Sequence, residues 1–251
     1  MSSPGEPFAY PKAIEEQPPN YEALGPHRTT DPPQQEQPQA YPGSNSKGVL
    51  PYVAQIPRVP HGLEYLIQVN QIIIQQKYFT TQTGKTYEIL NTMGQRIFLG
   101  TQEIKCCVSQ FDVKIMDNSN MEVIQLLEPC KCTCTHEAEI HSPPGTIIGY
   151  ITLNWNTNVT SLSISNASKD IVLLIVGPSF RTNIFGDVNF EVKSLDETQT
   201  IGQISRDNEQ YVVQFPLDLD AKIKVVLLGS AIFLDYMISA SREQLLRRSN
   251  D

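Results

Sequence analysis

The stretch Tyr211-Val-Val-Gln-Phe-Pro-Leu-Asp-Leu-Asp-Ala-Lys-Ile-Lys-Val-Val-Leu-Leu-Gly-Ser-Ala-Ile-Phe-Leu-Asp235 runs from a β-like segment through two carboxylates and two lysines into an almost wholly apolar run. Three readings compete for it: a cation-binding loop, a membrane span, or a helix buried in a protein core. Tyr211–Phe215 reads as a strand by its β-branched and aromatic content. The apolar part Val225–Ile238, with Val225, Val226, Leu227, Leu228, Ile232, Phe233 and Leu234 as its body, reads as a helix. At 1.5 Å per residue that segment is about 21 Å long, short of the ~30 Å hydrocarbon core of a bilayer. It also carries Asp235, whose insertion near a bilayer centre would cost several kcal/mol. A helix apolar nearly all round, in an otherwise β-rich chain, belongs inside the protein. The expectation is a central core helix over 222–238, with 241–251 as a short polar tail.

Outward from this stretch the chain divides in two. Thirteen of its 18 prolines lie in the first sixty residues, among many Gln, Glu and Ser. Such a segment buries too little apolar surface to offset its ordering entropy, so 1–58 reads as a disordered tail. The rest, 59–240, is ample for one core. Its candidate strands are Gln71–Gln76, Thr86–Leu90, Gln95–Leu99, Phe111–Met116, Glu122–Leu127 and Glu137–His141. They continue with Thr146–Leu153, Ser161–Ser165, Ile171–Val176, Val188–Leu195, Thr200–Ser205 and Tyr211–Phe215. Asn91-Thr-Met-Gly94 and Asp117-Asn-Ser-Asn120 read as hairpin turns. Short strands at regular spacing with little helix between them predict an all-β sandwich or barrel. One short helix is expected in Pro60–Gln68, with Leu63, Leu66 and Ile67 on one face.

The formal net charge of −8 argues against nucleic acid, whose binding rests on neutralising phosphates with Lys and Arg. It equally opposes simple electrostatic docking on anionic lipid. The Pro-rich start is unlike a signal peptide, and five cysteines form no even disulfide set, so a reducing compartment is expected. The sequons at Asn158 and Asn166 then carry no weight. No Ser/His/Asp arrangement, phosphate-cradling glycine loop or dinucleotide fingerprint is evident, so no enzyme is expected.

Several blocks resemble the phospholipid scramblase family: Pro60-His-Gly-Leu-Glu-Tyr-Leu, Lys85-Thr-Tyr-Glu-Ile with Gly94-Gln-Arg, and Pro143-Pro-Gly-Thr-Ile-Ile-Gly-Tyr150. So do Gly186-Asp-Val-Asn-Phe-Glu-Val-Lys-Ser-Leu-Asp196 and Gln214-Phe-Pro-Leu-Asp-Leu-Asp220. They occur in the family's order and span most of 57–238. The resemblance implies a tubby-like fold, mainly β: a closed antiparallel barrel of about twelve strands around one central C-terminal apolar helix. It implies ATP-independent, Ca2+-responsive, bidirectional movement of phospholipids between membrane leaflets. It also implies residence on the cytoplasmic face of the plasma membrane, lipid-anchored or single-pass, and a homo-oligomer is a further expectation. Two departures from the family matter. About ten residues, including a basic segment, are missing after the strand matching Ile201–Ser205, and the cysteine cluster is sparser.

The family's calcium loop aligns with Asp207–Asp218, making Asp207, Glu209, Tyr211 and Asp218 the candidate Ca2+ ligands. As an EF-hand loop it is poor: Tyr stands at position five, Val212 at the position that needs Gly, and Asp where a bidentate Glu belongs. A structural role explains the same carboxylates. Asp218 and Asp220 stand where a helix begins and can cap its free N–H groups, and Asp218–Lys222 and Asp220–Lys224 are i,i+4 pairs.

Cys130-Lys-Cys-Thr-Cys-Thr-His136 invites a zinc reading. In a straight strand, however, same-face neighbours lie about 6.8 Å apart, whereas zinc thiolates at ~2.3 Å Zn–S need sulfurs about 4 Å apart. The resemblance implies S-acylation of Cys130, Cys132 and Cys134 instead; two or more chains give stable anchoring where one is marginal. In the tail, Pro18-Pro-Asn-Tyr21 is a PPxY sequence suited to an aromatic-lined groove, so WW- or SH3-domain proteins are expected partners through Pro18, Pro19 and Tyr21. The alternative function is an acylated adaptor that recruits such partners and moves no lipid.

Overall fold

Alternation of apolar and polar residues at period two builds twelve strands, one face of each turned inward. They are β1 (Gln71–Lys77), β2 (Thr86–Leu90), β3 (Arg96–Gln102), β4 (Asp112–Met116), β5 (Glu122–Leu127) and β6 (Glu137–His141). The second half comprises β7 (Ile147–Asn154), β8 (Val159–Asn166), β9 (Ile171–Pro178), β10 (Val188–Lys193), β11 (Thr200–Asp207) and β12 (Gln210–Gln214). The computed structural model describes residues 59–77, 84–103, 111–129, 136–154, 156, 158–179, 188–207 and 210–248. Each strand pairs antiparallel with its sequence neighbours, and β1 closes on β12 through Gln71↔Gln214 to Gln75↔Gln210. The sheet therefore has no edge. A helix, α1 (Ala221–Arg248), fills the interior.

The five described hairpins at one end of the barrel share a construction. β2, β4, β6, β8 and β10 each end in a register shift. In the turns that follow, Gly94, Asn120, Gly145, Lys169 and Glu197 have positive φ. A left-handed residue beside a bulge is the usual way to close a hairpin of more than two residues while keeping the strand twist. Asn91, Asp117 and Asn166 open three of these turns, and each side-chain Oδ1 accepts two backbone N–H groups of its own turn. The turns expected at 91–94 and 117–120 are thus present, and the same logic recurs around the rim.

Two local expectations change. The short helix is a 3-10 turn, Glu64–Gln68, with Leu63 and Leu66 fully buried and Ile67 47 % exposed. At three residues per turn, positions 63 and 66 eclipse while 67 rotates away, so the α-helical spacing that grouped Ile67 with them does not apply. The shortening expected before Asp207 leaves the strands whole: β11 and β12 stay in register up to Asp207↔Gln210.

Candidate functional site

α1 is longer than its apolar pattern suggested. It spans 28 residues, about 42 Å at 1.5 Å per residue, and continues through the stretch expected as a polar tail. Arg242, Glu243, Arg247 and Arg248 end it, cations in the last turn matching the negative end of the dipole. The length argument against membrane crossing therefore falls: Ala221–Glu243 is long and apolar enough to span. Burial decides instead, because 78 % of its most apolar window lies inside the protein.

The middle of the helix is dry. Val225, Val226, Leu227, Leu228, Ile232, Phe233 and Leu234 are all 0 % exposed. Gly229 allows close approach to β5 and β6, since a Cβ there would meet Leu126 and Ile140 side chains at 3.1 Å. Gly149 on β7 does the same from the wall, where a Cβ would lie 2.6 Å from Val226. Phe233 meets Phe111 edge-on at 5.3 Å, a favourable geometry for two aromatic rings. The Ser230 hydroxyl donates back to the Val226 carbonyl at 2.8 Å and so needs no partner in the wall.

Charge is confined to the two ends. At the N-terminal end Asp220 is the cap: its Oδ1 accepts from the N–H groups of Lys222 (2.8 Å) and Ile223 (3.3 Å). The ion pair expected between Asp220 and Lys224 does not form. Lys224 is 0 % exposed, and its Nζ donates to the carbonyls of Leu66 (3.0 Å), Val69 (2.9 Å) and Leu217 (2.7 Å). One ammonium thus uses all three donors to tie the helix to the 3-10 turn, the entry to β1 and the segment after β12. Burial pushes its pKa below the ordinary lysine value, against the opposing pull of Asp218 and Asp220.

At the other end Asp235, 4 % exposed, pairs with Lys85 at 2.7 Å. It also accepts from the hydroxyls of Tyr87 (3.0 Å) and Tyr211 (3.4 Å), and Lys85 reaches on to Ser239. Arg206 and Arg242 lie near enough to act on Tyr211, but burial and the Asp235 carboxylate prevail and push its phenol well above the ordinary value. This polar cluster was not foreseen. Its signal was in the alternation: Gln76 continues the inward face of Ile72 and Ile74, and Arg206 that of Ile204.

The four candidate calcium ligands do not converge. Asp207 ends β11 at one end of the barrel and Asp218 follows β12 at the other, with strand β12 between them, about 17 Å of extended chain. Tyr211 points inward and is bonded to Asp235, while Glu209 lies outside the described residues. Among the described residues no group of three or more His, Cys, Asp or Glu is placed to hold a metal. These residues do not fit a single-ion Ca2+ loop. Cys130, Cys132 and Cys134, and Pro18, Pro19 and Tyr21 of the tail, also lie outside the described residues.

Residues 51–240, which contain the whole barrel and the buried length of the helix, match the Scramblase protein family. Bovine phospholipid scramblase 2 is 36 % identical, with 71 % of each chain covered. Human phospholipid scramblase family member 5 is 37 % identical over 71 % of this chain and 77 % of its own. Human phospholipid scramblase 1 is 36 % identical over 74 % and 69 % respectively. A protein of known structure from Arabidopsis thaliana aligns with 66 % of the chain at a TM-score of 0.44 and 13 % identity. On the family match and the 36–37 % identities to phospholipid scramblases, the chain belongs to the scramblase family.

Proposed function

We propose that the protein promotes ATP-independent, bidirectional movement of phospholipids between membrane leaflets. The observation that carries this is the family match across 51–240, which takes in the whole barrel and the buried length of the helix it encloses. Moving a lipid between leaflets breaks no covalent bond, so the function asks for contact with lipid and not for a nucleophile or a general base.

The finer parts of the reading rest on family resemblance. Stable residence on the cytoplasmic face of the plasma membrane would come from acyl chains on Cys130, Cys132 and Cys134. A Cys130/Cys132/Cys134 triple Ser variant that partitions with membranes in cells like the wild type overturns acylation as the anchor. Responsiveness to Ca2+ belongs to the same reading, but no step is routed through Asp207, Tyr211 and Asp218, which the barrel holds apart.

The test is leaflet exchange of labelled lipid in vesicles carrying the purified chain, without ATP and with and without Ca2+. Faster exchange than in protein-free vesicles is expected. Exchange no faster than in protein-free vesicles overturns the proposal and leaves the adaptor role, with WW-domain partners bound through Pro18, Pro19 and Tyr21, as the reading to pursue.

A further inference from the structure

Hairpin turns in water are normally built from small and polar residues. In this barrel, at the end where α1 begins, nearly every described turn also presents a large apolar side chain to solvent. Met93 stands on the β2–β3 turn, Met121 on β4–β5, Leu195 on β10–β11 and Leu217 ahead of α1, with Tyr65 and Ile67 on the 3-10 turn beside them. Their exposure runs from 38 % for Tyr65 to 73 % for Met93. Ile171 opens β9 at the same rim, and the β6–β7 turn carries exposed Pro143 and Pro144. Among the described residues, Leu246 near the end of α1 is the one other exposed large apolar side chain.

The charges between these tips are of both signs, and most of the carboxylates are committed locally. Five rim carboxylates are already occupied by donors of their own segments. Asp117 accepts from two turn amides. Asp196 accepts from Ser194 and Thr198, Asp170 from Asn166, Glu64 from Gly62 and His61, and Asp220 caps α1. Ser194 and Thr198 hold the Asp196 carboxyl below its ordinary pKa. Arg96 and Lys222, by contrast, are exposed and form no ion pair among the described residues. Glu197 and Asp218 are exposed at the same rim, so its charge is mixed, and the ring of separated apolar apices with Arg96 and Lys222 between them is what complements a layer of phosphates above hydrocarbon.

We propose that this rim is a lipid-docking crown: its apolar tips insert into the interfacial region of a zwitterionic bilayer while Arg96 and Lys222 meet lipid phosphates. The choice of lipid as occupant rests on the scramblase reading. Apices spread around a ring suit a deformable surface, whereas protein interfaces collect apolar area into one patch. With the chain at −8 overall, docking depends on apolar insertion and varies little with salt. The crown is built from Met93, Met121, Leu195 and Leu217 with their neighbours and uses none of the three cysteines expected to be acylated.

The test uses the full chain purified from bacteria, where it is not acylated, and phosphatidylcholine vesicles in a flotation assay. The quadruple variant Met93→Ser, Met121→Ser, Leu195→Ser, Leu217→Ser is expected to lower the partition coefficient at least about ten-fold with an unchanged melting temperature; Leu246→Ser is expected to leave partitioning as in the wild type. Should the quadruple variant fold poorly, Met121→Trp in a chain with Trp155→Phe is the second readout, with a blue-shifted emission expected on adding vesicles. A wild type that does not float, a folded quadruple variant that floats equally well, or an unshifted emission overturns the crown. So does a variant that loses a dimer by light scattering while floating normally, which assigns the rim to a second copy. Leaflet exchange in the same vesicles separates the two proposals. Crown-dependent flotation without exchange overturns the scramblase function alone; exchange that survives loss of the crown overturns the crown alone.

Discussion

The two ends of α1 each bury one charge, and they neutralise it by opposite means. Lys224 is held by three backbone carbonyls and no carboxylate. Asp235 is held by a cation and two phenols from the wall. The first arrangement uses fixed dipoles that exist only once the 3-10 turn, β1 and the segment after β12 are in place. The second uses side chains projecting from β2 and β12. Both charges are fully compensated, and the ten residues separating them admit no other ionisable group. A helix that is uniformly apolar has no preferred depth in an apolar barrel, so the two charges supply the register that apolar packing alone leaves loose.

The difference can be broken most sharply at the N-terminal end. Lys224→Met removes a donor from three carbonyls at once and is expected to cost about 3–5 kcal/mol in urea denaturation, because the acceptors stay buried. A loss under about 1 kcal/mol would mean that water reaches those carbonyls. At the other end Asp235→Asn is expected to cost about 2 kcal/mol, less because Lys85 retains Ser239 and partial access to solvent. The double variant Lys85→Met, Asp235→Leu should recover part of that loss, since replacing both members of a buried pair leaves no orphan charge. Additive losses in that cycle would show that the two residues do not act as a pair.

Two smaller effects sharpen the comparison further. Asp220→Ala should cost about 1 kcal/mol, the value of an N-cap. Asp218→Ala should fall within about 0.5 kcal/mol of wild type, and any calcium response should keep its midpoint in Asp218→Asn. A shifted midpoint would restore Asp218 as a ligand. The last test is alkaline. Burial, with Glu128 and Glu243 nearby, raises the Tyr236 phenol to about 12, so between the ordinary value of 10 and about 12 the folded chain keeps a proton that the unfolded chain has lost. Stability is therefore complete below pH 10 and declines from there as pH rises through about 12. Denaturation curves at pH 9, 10.5 and 11.5 should show a shallower decline for Tyr236→Phe.

Much of this was legible in the chain. All twelve strands appear where β-branched runs and turn residues placed them, and Asp220 caps the helix as its position before Ala221 suggested. The helix end and the fate of Lys224 were not legible. Past Ile238 the sequence turns polar, which looks like a stop, yet the final turns stay helical with their cations at the negative end of the dipole. Lys224 follows Asp220 by four residues, and local spacing cannot distinguish a solvated ion pair from a lysine drawn inward by carbonyls 155 or more residues away in sequence.

What the sequence determined by itself was local and periodic: the strand alternation, the hairpin turns at 91–94 and 117–120, the cap, and the apolar run too continuous to face water. Only the tertiary structure decided that this run, long enough to cross a membrane, is enclosed by the barrel. Closure is a long-range event, β1 meeting β12 across some 140 residues, and it alone creates an interior that satisfies an apolar helix and gives its two buried charges their partners.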